Sequence, residues 1–126
     1  MAVTIKSAKE IELMRESCRL LAQVHKELEY AIKPGMSTMD INILGDTLIR
    51  KMGCIPNFKD YHGYPASICT SVNDEVVHGI PSKKEFCRRV TLSVWMQVLS
   101  IKAIILMLQE PMRWDRLVLR HRSFLT

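Results

Sequence analysis

The chain has 126 residues, 48% of them apolar and 25% charged, which bounds it to one ordinary domain built around a single core. Its net charge of +5 is uneven: residues 1–86 carry 11 Lys/Arg against 11 Asp/Glu, and residues 87–126 carry 7 against 2. With the basic excess confined to the tail and no nucleic-acid-binding motif beside it, nucleic acid is excluded as an expected partner. Cys18, Cys54, Cys69 and Cys87 form no C-x-x-C, which excludes a zinc ribbon. With no signal-peptide pattern at the start, they point to a reducing, cytoplasmic setting.

Ser7-Ala8-Lys9-Glu10 reads as a capping box, with Ser7 accepting from a backbone N–H and Glu10 reaching back. Apolar residues then recur at Ile11, Met14, Cys18, Leu21, Val24, Leu28 and Ile32, the spacing of a helix with one buried face. His25 falls between Leu21 and Leu28 and is expected to be structural. Lys33-Pro34-Gly35 ends this helix, because proline cannot continue it and glycine accepts the reversal. Ser37 or Thr38 caps a second helix, with Asp40 favourable in its first turn. Ile41, Leu44, Leu48 and Met52 are expected to face inward, and Gly53 stops it. Both helices read as scaffold.

Ala66–Ser71 and Glu75–Ile80 read as two short strands rich in Ile, Val, Thr and Cys, with Val72-Asn73-Asp74 supplying turn chemistry between them. This predicts a hairpin with His78 near the end of its second strand. Gly63 and Gly79 suit unusual backbone geometry or close approach, and Pro65 and Pro81 stiffen the chain beside them.

The stretch Tyr61–Pro81, YHGYPASICTSVNDEVVHGIP, is dense in special chemistry and almost free of periodicity. Tyr61-His62-Gly63-Tyr64-Pro65, then Ser67-Ile68-Cys69, then Asn73 through Pro81 resemble the N-terminal part of type I methionine aminopeptidase. The two preceding helices and the Lys33–Thr38 connection are similar too, so the resemblance covers about residues 3–86. With no zinc-finger or linker extension ahead of it, the chain looks like the short bacterial form.

The resemblance implies an α/β (α+β) chain with an incomplete pita-bread (creatinase/aminopeptidase-like) fold: two helices, a β-hairpin, then an atypical tail. It implies removal of the initiator methionine from nascent polypeptides, with polypeptide N-termini and the ribosome as partners and a monomeric state. It implies two divalent metal ions (cobalt, manganese, iron or zinc) that lower the pKa of a bridging water. His78 matches the family histidine that contacts the substrate without ligating metal and hydrogen-bonds the developing tetrahedral species. Phe58, Tyr61, Tyr64 and Cys69 match positions around the methionine pocket, where aromatic edges and a small sulfur residue suit a thioether. His62 lies beside this motif and is left unassigned.

The chain departs from the family after residue 86. The expected Asp-x-Gly strand, the second aspartate, the ligand histidine and two glutamates are missing. Glu110, Asp115 and His121 are the tail's candidates for ligands, and their spacing matches no metal motif. Two domain segments follow: residues 1–86 as the catalytic domain's N-terminal part, and residues 87–126 as a tail of frameshift origin.

Codons explain why. Trp95-Met96 must be TGG-ATG, so the triplet made from the third base of one codon and the first two of the next is GAT, aspartate. Met96-Gln97 gives alanine in the same frame, and Gln97-Val98 gives serine or glycine. Lys102 to Pro111 can yield Gly-Tyr-His-Ser-Asp-Ala-Ala-Arg-Thr, with the second aspartate 11 codons after the first. The expectation is a chain with no bound metal, no aminopeptidase activity and marginal stability. The tail itself reads as helix between about Leu92 and Gln109. Leu92–Leu108 approaches the length of a membrane span, but Gln97 and Lys102 lie inside it, and a central lysine costs about 2.5–3.5 kcal/mol on insertion. A membrane anchor and a non-catalytic peptide-binding or ribosome-associated module are the alternatives.

Overall fold

A computed structural model describes residues 5–88, 92–101 and 104–113. Helix α1, Ala8–Ala31, opens on the capping box: the Ser7 hydroxyl accepts the Glu10 N–H, and the Glu10 carboxylate accepts the Ser7 N–H at 2.7 Å. It ends at Ile32, whose N–H returns to the Leu28 carbonyl, just ahead of Pro34 and Gly35. Helix α2, Thr38–Lys51, repeats the device with Ser37 and Asp40. Ser37 is the cap, and Thr38 is the first helical residue.

The buried face of α1 is shorter than its periodicity suggests. Leu21, Val24, Leu28 and Ile32 are buried, but Ile11 and Cys18 are exposed and Met14 is only half-buried. Ser17 is fully buried instead, its hydroxyl donating back to the Leu13 carbonyl. His25 is buried, as a structural residue should be. In α2, Ile41 and Leu48 face inward as expected, and Ile49 joins them at 0% exposure. Gly45 lets α2 lie directly on the sheet: a Cβ there would stand 3.2 Å from two carbons of Ile68.

The sheet has the order β1-β3-β2, with β4 on β3. Its strands are β1 (Ile55–Pro56), β2 (Ile68–Val72), β3 (Leu92–Ile101) and β4 (Ile104–Arg113). All pairings are antiparallel, with Cys69 opposite Met96, Thr70 opposite Trp95, and Trp95 opposite Glu110. The core joins Leu21, Val24, Leu28 and Ile32 of α1 and its cap to Ile41, Leu48 and Ile49 of α2, with Ile68 of β2, Cys54 and Cys87.

Two expectations are corrected here. The second strand of the predicted hairpin, Glu75–Ile80, is not a strand. Asn73 and His78 stand in the left-handed region (φ 55° and 61°), which breaks the extended geometry a strand needs. A single backbone bond, from the Thr70 N–H to the Gly79 carbonyl, is what survives of a ladder. The partner of β2 is β3. The predicted tail helix is likewise replaced by β3 and β4. Residues 92–101 are rich in Leu, Val, Ile and Trp, and the exposed ladder of β2 gives them a template, so strand pairing prevails over helix. The helical anchor over 92–108 goes with it. Among the described residues, no helix is long and apolar enough to cross a membrane.

Candidate functional site

The loop from Asn57 to Ser67 leaves β1 and returns to β2 through a short 3₁₀ turn, Tyr61–Gly63. Its shape depends on residues at positive φ: Asp60 (65°), His62 (48°) and Gly63 (80°). With Asn73 and His78, that makes four non-glycine residues in the left-handed region, all of them Asp, Asn or His, the types that tolerate it best. They flank the site on both sides, where backbone strain is characteristically held by surrounding contacts.

Three rings gather at the centre. Phe58 lies 5.7 Å from Tyr64 and 6.3 Å from the His78 imidazole, the latter edge-on. Cys69, on β2, is buried beside the Tyr64 hydroxyl. Burial pushes the Cys69 thiol up from its ordinary pKa, and the hydrogen bond from Tyr64 only partly offsets this, so it stays a neutral thiol. Burial also pushes the Tyr64 phenol up, reinforced by its contact with Cys69. The phenol therefore keeps its proton throughout the ordinary pH range.

Of the five residues singled out in the sequence, four come together: Phe58, Tyr64, Cys69 and His78. Tyr61 is 63% exposed, and its ring packs on His62 at 4.4 Å. Tyr61 is tied to the group through the backbone, its N–H donating to Phe58 and its carbonyl accepting from Tyr64. His78 is exposed at the rim, on the open side with Val76, Val77 and Ile80.

The supporting polar residues were not legible beforehand. Asn42 of α2 accepts the N–H groups of both Ser67 and Ile68, which pins the start of β2 to the helix. The Ser67 hydroxyl donates to Asp46. Partial burial works against the Asp46 charge, but donors from Arg50 and Ser67 outweigh it and hold the carboxyl below its usual range. Ser71 accepts the Gly79 N–H at 3.1 Å, and the Glu75 carboxylate accepts the Val72 N–H at 3.0 Å. Apart from Val72–Glu75 and Asp46–Arg50, these partners stand 8 to 26 residues apart, a spacing that leaves no periodic trace, and only the fold brings them together.

Among the described residues, no three of His, Cys, Asp and Glu converge to hold a metal ion. β3 contains no acidic residue or histidine, and β4 contains only Glu110. Asp115 and His121 lie outside the described residues. The described residues therefore bring together no donor set for a pair of hard divalent cations, which need several carboxylate oxygens.

Residues 12–102 match the family model described as metallopeptidase family M24. Methionine aminopeptidase from Clostridium acetobutylicum is 49% identical over 81 residues, covering 64% of this chain and 32% of that protein. Methionine aminopeptidase 1 from Bacillus subtilis is 45% identical over 82 residues, covering 65% and 33%. The chain thus spans about a third of the length of these curated relatives. The structure of methionine aminopeptidase from Rickettsia prowazekii overlaps 96% of this chain and 49% of its own, with a TM-score of 0.87 and 24% identity. That from Thermotoga maritima overlaps 89% and 45%, with a TM-score of 0.84 and 28% identity.

Proposed function

This chain belongs to metallopeptidase family M24, and on that premise we propose that residues 58–79 form the substrate-side portion of a type I methionine aminopeptidase site whose cation-binding portion is missing. The fold is the corresponding portion of the pita-bread architecture, two helices followed by sheet. The observation that carries the proposal is the convergence of Phe58, Tyr64, Cys69 and His78 on one side of β2. The rings of Phe58 and Tyr64 and the neutral thiol of Cys69 offer a polarizable apolar wall for a thioether. The imidazole of His78, at the rim, hydrogen-bonds the substrate next to the scissile bond. Nascent polypeptide N-termini at the ribosome are the substrates that such a pocket serves.

Cleavage itself needs an activated water, and these residues supply no general base and no cation cage for one. The 126-residue chain is accordingly inactive, and the register of the sheet supports a frame change in the tail as the reason. Each shifted triplet takes one base from one codon and two from the next, so it falls at the later residue. The forced aspartate falls at position 96 on β3, opposite Cys69. The second falls at position 107 on β4, opposite position 98. Positions 96 and 98 lie on one face of β3, so the two aspartates would be diagonal neighbours, about 7–8 Å apart, on the face that carries the Cys69 position. Two carboxylates at that separation suit a pair of cations about 3.5–4 Å apart. The likeness to the Rickettsia prowazekii structure also extends through 96% of the chain, while the alignments to the curated relatives cover 64–65% of it and the family model ends at residue 102. Strands β3 and β4 with the family's backbone and foreign side chains account for both.

The purified chain should leave a Met-Ala peptide intact in cobalt or manganese, while a gene with one base corrected near codons 86–87 and read on to the full length of the relatives should cleave it. Turnover by the uncorrected chain would refute the proposal. DNA across the junction whose shifted frame lacks the two aspartates would remove the frame change. A second reading, a peptide-binding module without catalysis, draws on the same ring cluster: a methionyl peptide captured by the chain without stoichiometric metal would favour it.

A further inference from the structure

The segment after β2 doubles back over its own strand, and its grip on that strand is concentrated at one residue. The Gly79 carbonyl accepts the Thr70 N–H at 3.0 Å and the Tyr64 hydroxyl at 2.8 Å, while the Gly79 N–H donates to the Ser71 hydroxyl at 3.1 Å. No side chain would fit there: a Cβ on Gly79 would stand 2.0 Å from the Thr70 carbonyl oxygen. On either side of this buried anchor the chain is exposed, with Val76 84% and Ile80 58% accessible. His78, the residue before the anchor, is held at φ 61°, and its ring meets Phe58 edge-on.

We propose that Tyr64 is the positioning residue for His78: its hydroxyl tethers the Gly79 carbonyl, and the tether holds the His78 imidazole against Phe58. Tyr64 thus has two jobs. Its ring lines the pocket, and its oxygen, half-buried beside β2, fixes the loop that delivers the imidazole. The Ile68 carbonyl, 3.3 Å from the same hydroxyl, and the neighbouring Cys69 sulfur are the competing acceptors. The exposed, left-handed His78 has the edge of Phe58 against its ring but little burial to keep it in place, so the bond behind it decides where the ring spends its time. The inference rests on the reading of His78 as the substrate contact, but the tether itself is measurable without any substrate.

Isotope-labelled 126-residue chain is compared with Y64F, which keeps the ring and removes the donor. In the unaltered chain, the Gly79 N–H should exchange with solvent at least about tenfold more slowly than those of Val76 and Val77. In Y64F, exchange at Gly79 and Thr70 should accelerate about fivefold or more, and the Phe58–His78 ring contact seen by nuclear Overhauser effect should disappear, while Val24 in α1 is unchanged. Retention of the ring contact with exchange within twofold of the unaltered chain overturns the proposal. If Y64F fails to fold, S71A, which removes the acceptor of the Gly79 N–H, takes its place with the same expected local loosening, and its absence overturns the proposal equally. If neither variant folds, equal exchange at Gly79, Val76 and Val77 in the unaltered chain overturns it. For binding, Y64F should weaken capture of a Met-Ala-Ser peptide in the parent but not in a H78A background, because a residue acting only through another loses its effect when that other is gone. A parent chain that captures no such peptide counts against the reading of the site, and leaves the tether to be judged by the ring contact and exchange.

Discussion

The two helices and the 58–80 segment both rely on side-chain hydrogen bonds to the backbone, yet they use them differently. The side-chain N-caps of both helices are local: Ser7 with Glu10, Ser37 with Asp40, each three residues apart. In residues 58–80, partners are remote or oddly spaced: Asn42 with Ser67, Tyr64 with Gly79, Ser71 with Gly79. The helices can tolerate a lost cap because a row of apolar contacts also holds them. The pocket segment has few such contacts, so its geometry rests on individual hydrogen bonds and on a glycine that nothing can replace. Rigidity in the first region comes from redundancy, and in the second from placement.

The comparison predicts how each region fails. The largest effect should come from the shared core. Leu28→Ala or Ile49→Ala, each removing a fully buried side chain, should cost about 2–5 kcal/mol in urea unfolding and loosen both regions together. A loss confined to one region would show that they do not share a core.

Acid should come next. His25 is buried, its Nε2 has no partner among the described residues, and burial lowers its pKa from 6.5 to about 4. The folded state therefore keeps His25 neutral where the unfolded chain already binds a proton. Its contribution is fully present above pH 6.5 and is lost as pH falls toward 4, in total about 3 kcal/mol. Stability measured against pH should slope upward through that window, and His25→Leu should flatten the slope. An unchanged slope would place the acid sensitivity elsewhere.

Gly79→Ala should cost less overall, about 1–3 kcal/mol, but should act almost entirely on the pocket. Its methyl group would collide with the Thr70 carbonyl, so the loop must lift and take His78 from Phe58. Spectra of the α1 core should stay unchanged while the two rings lose contact. The smallest effect should be Ser37→Ala, about 1 kcal/mol by thermal melting, because the Thr38 and Met39 N–H groups at the helix start also donate to the Glu85 and Ser82 carbonyls. A larger loss would make that cap the principal lock on the 82–87 segment.

Legibility in the sequence followed the same division. The first capping box, both helix ends and β2 are readable from residue type and short spacing, the second cap is narrowed to Ser37 or Thr38, and the pocket residues come from the family resemblance rather than from spacing. The inward face of α1 was overextended at Ile11 and Cys18, because periodicity reports which residues share a face but not how far a neighbouring element reaches along it. Ile49 was overlooked because α2 packs over a wider arc than one stripe. Glu75–Ile80 was read as a strand from Val and Ile content. Left-handed Asn73 and His78 and the Glu75 side chain on the Val72 N–H override that propensity. The tail was read as helix from its apolar run, a pattern that does not distinguish helix from buried strand, and strand pairing with β2 decided it.

The sequence alone determined what is local: where the helices begin and end, which short motif resembles the family, and that residues 87–126 carry no Asp-x-Gly. Those follow from bonds and spacings within a few residues. Tertiary structure alone decided that the tail pairs with β2, that Asn42 and Ser71 support the site, and that the Tyr64 hydroxyl reaches Gly79. These are encounters between residues distant along the chain, brought within hydrogen-bonding range by burial of a common core, and no local pattern encodes their geometry.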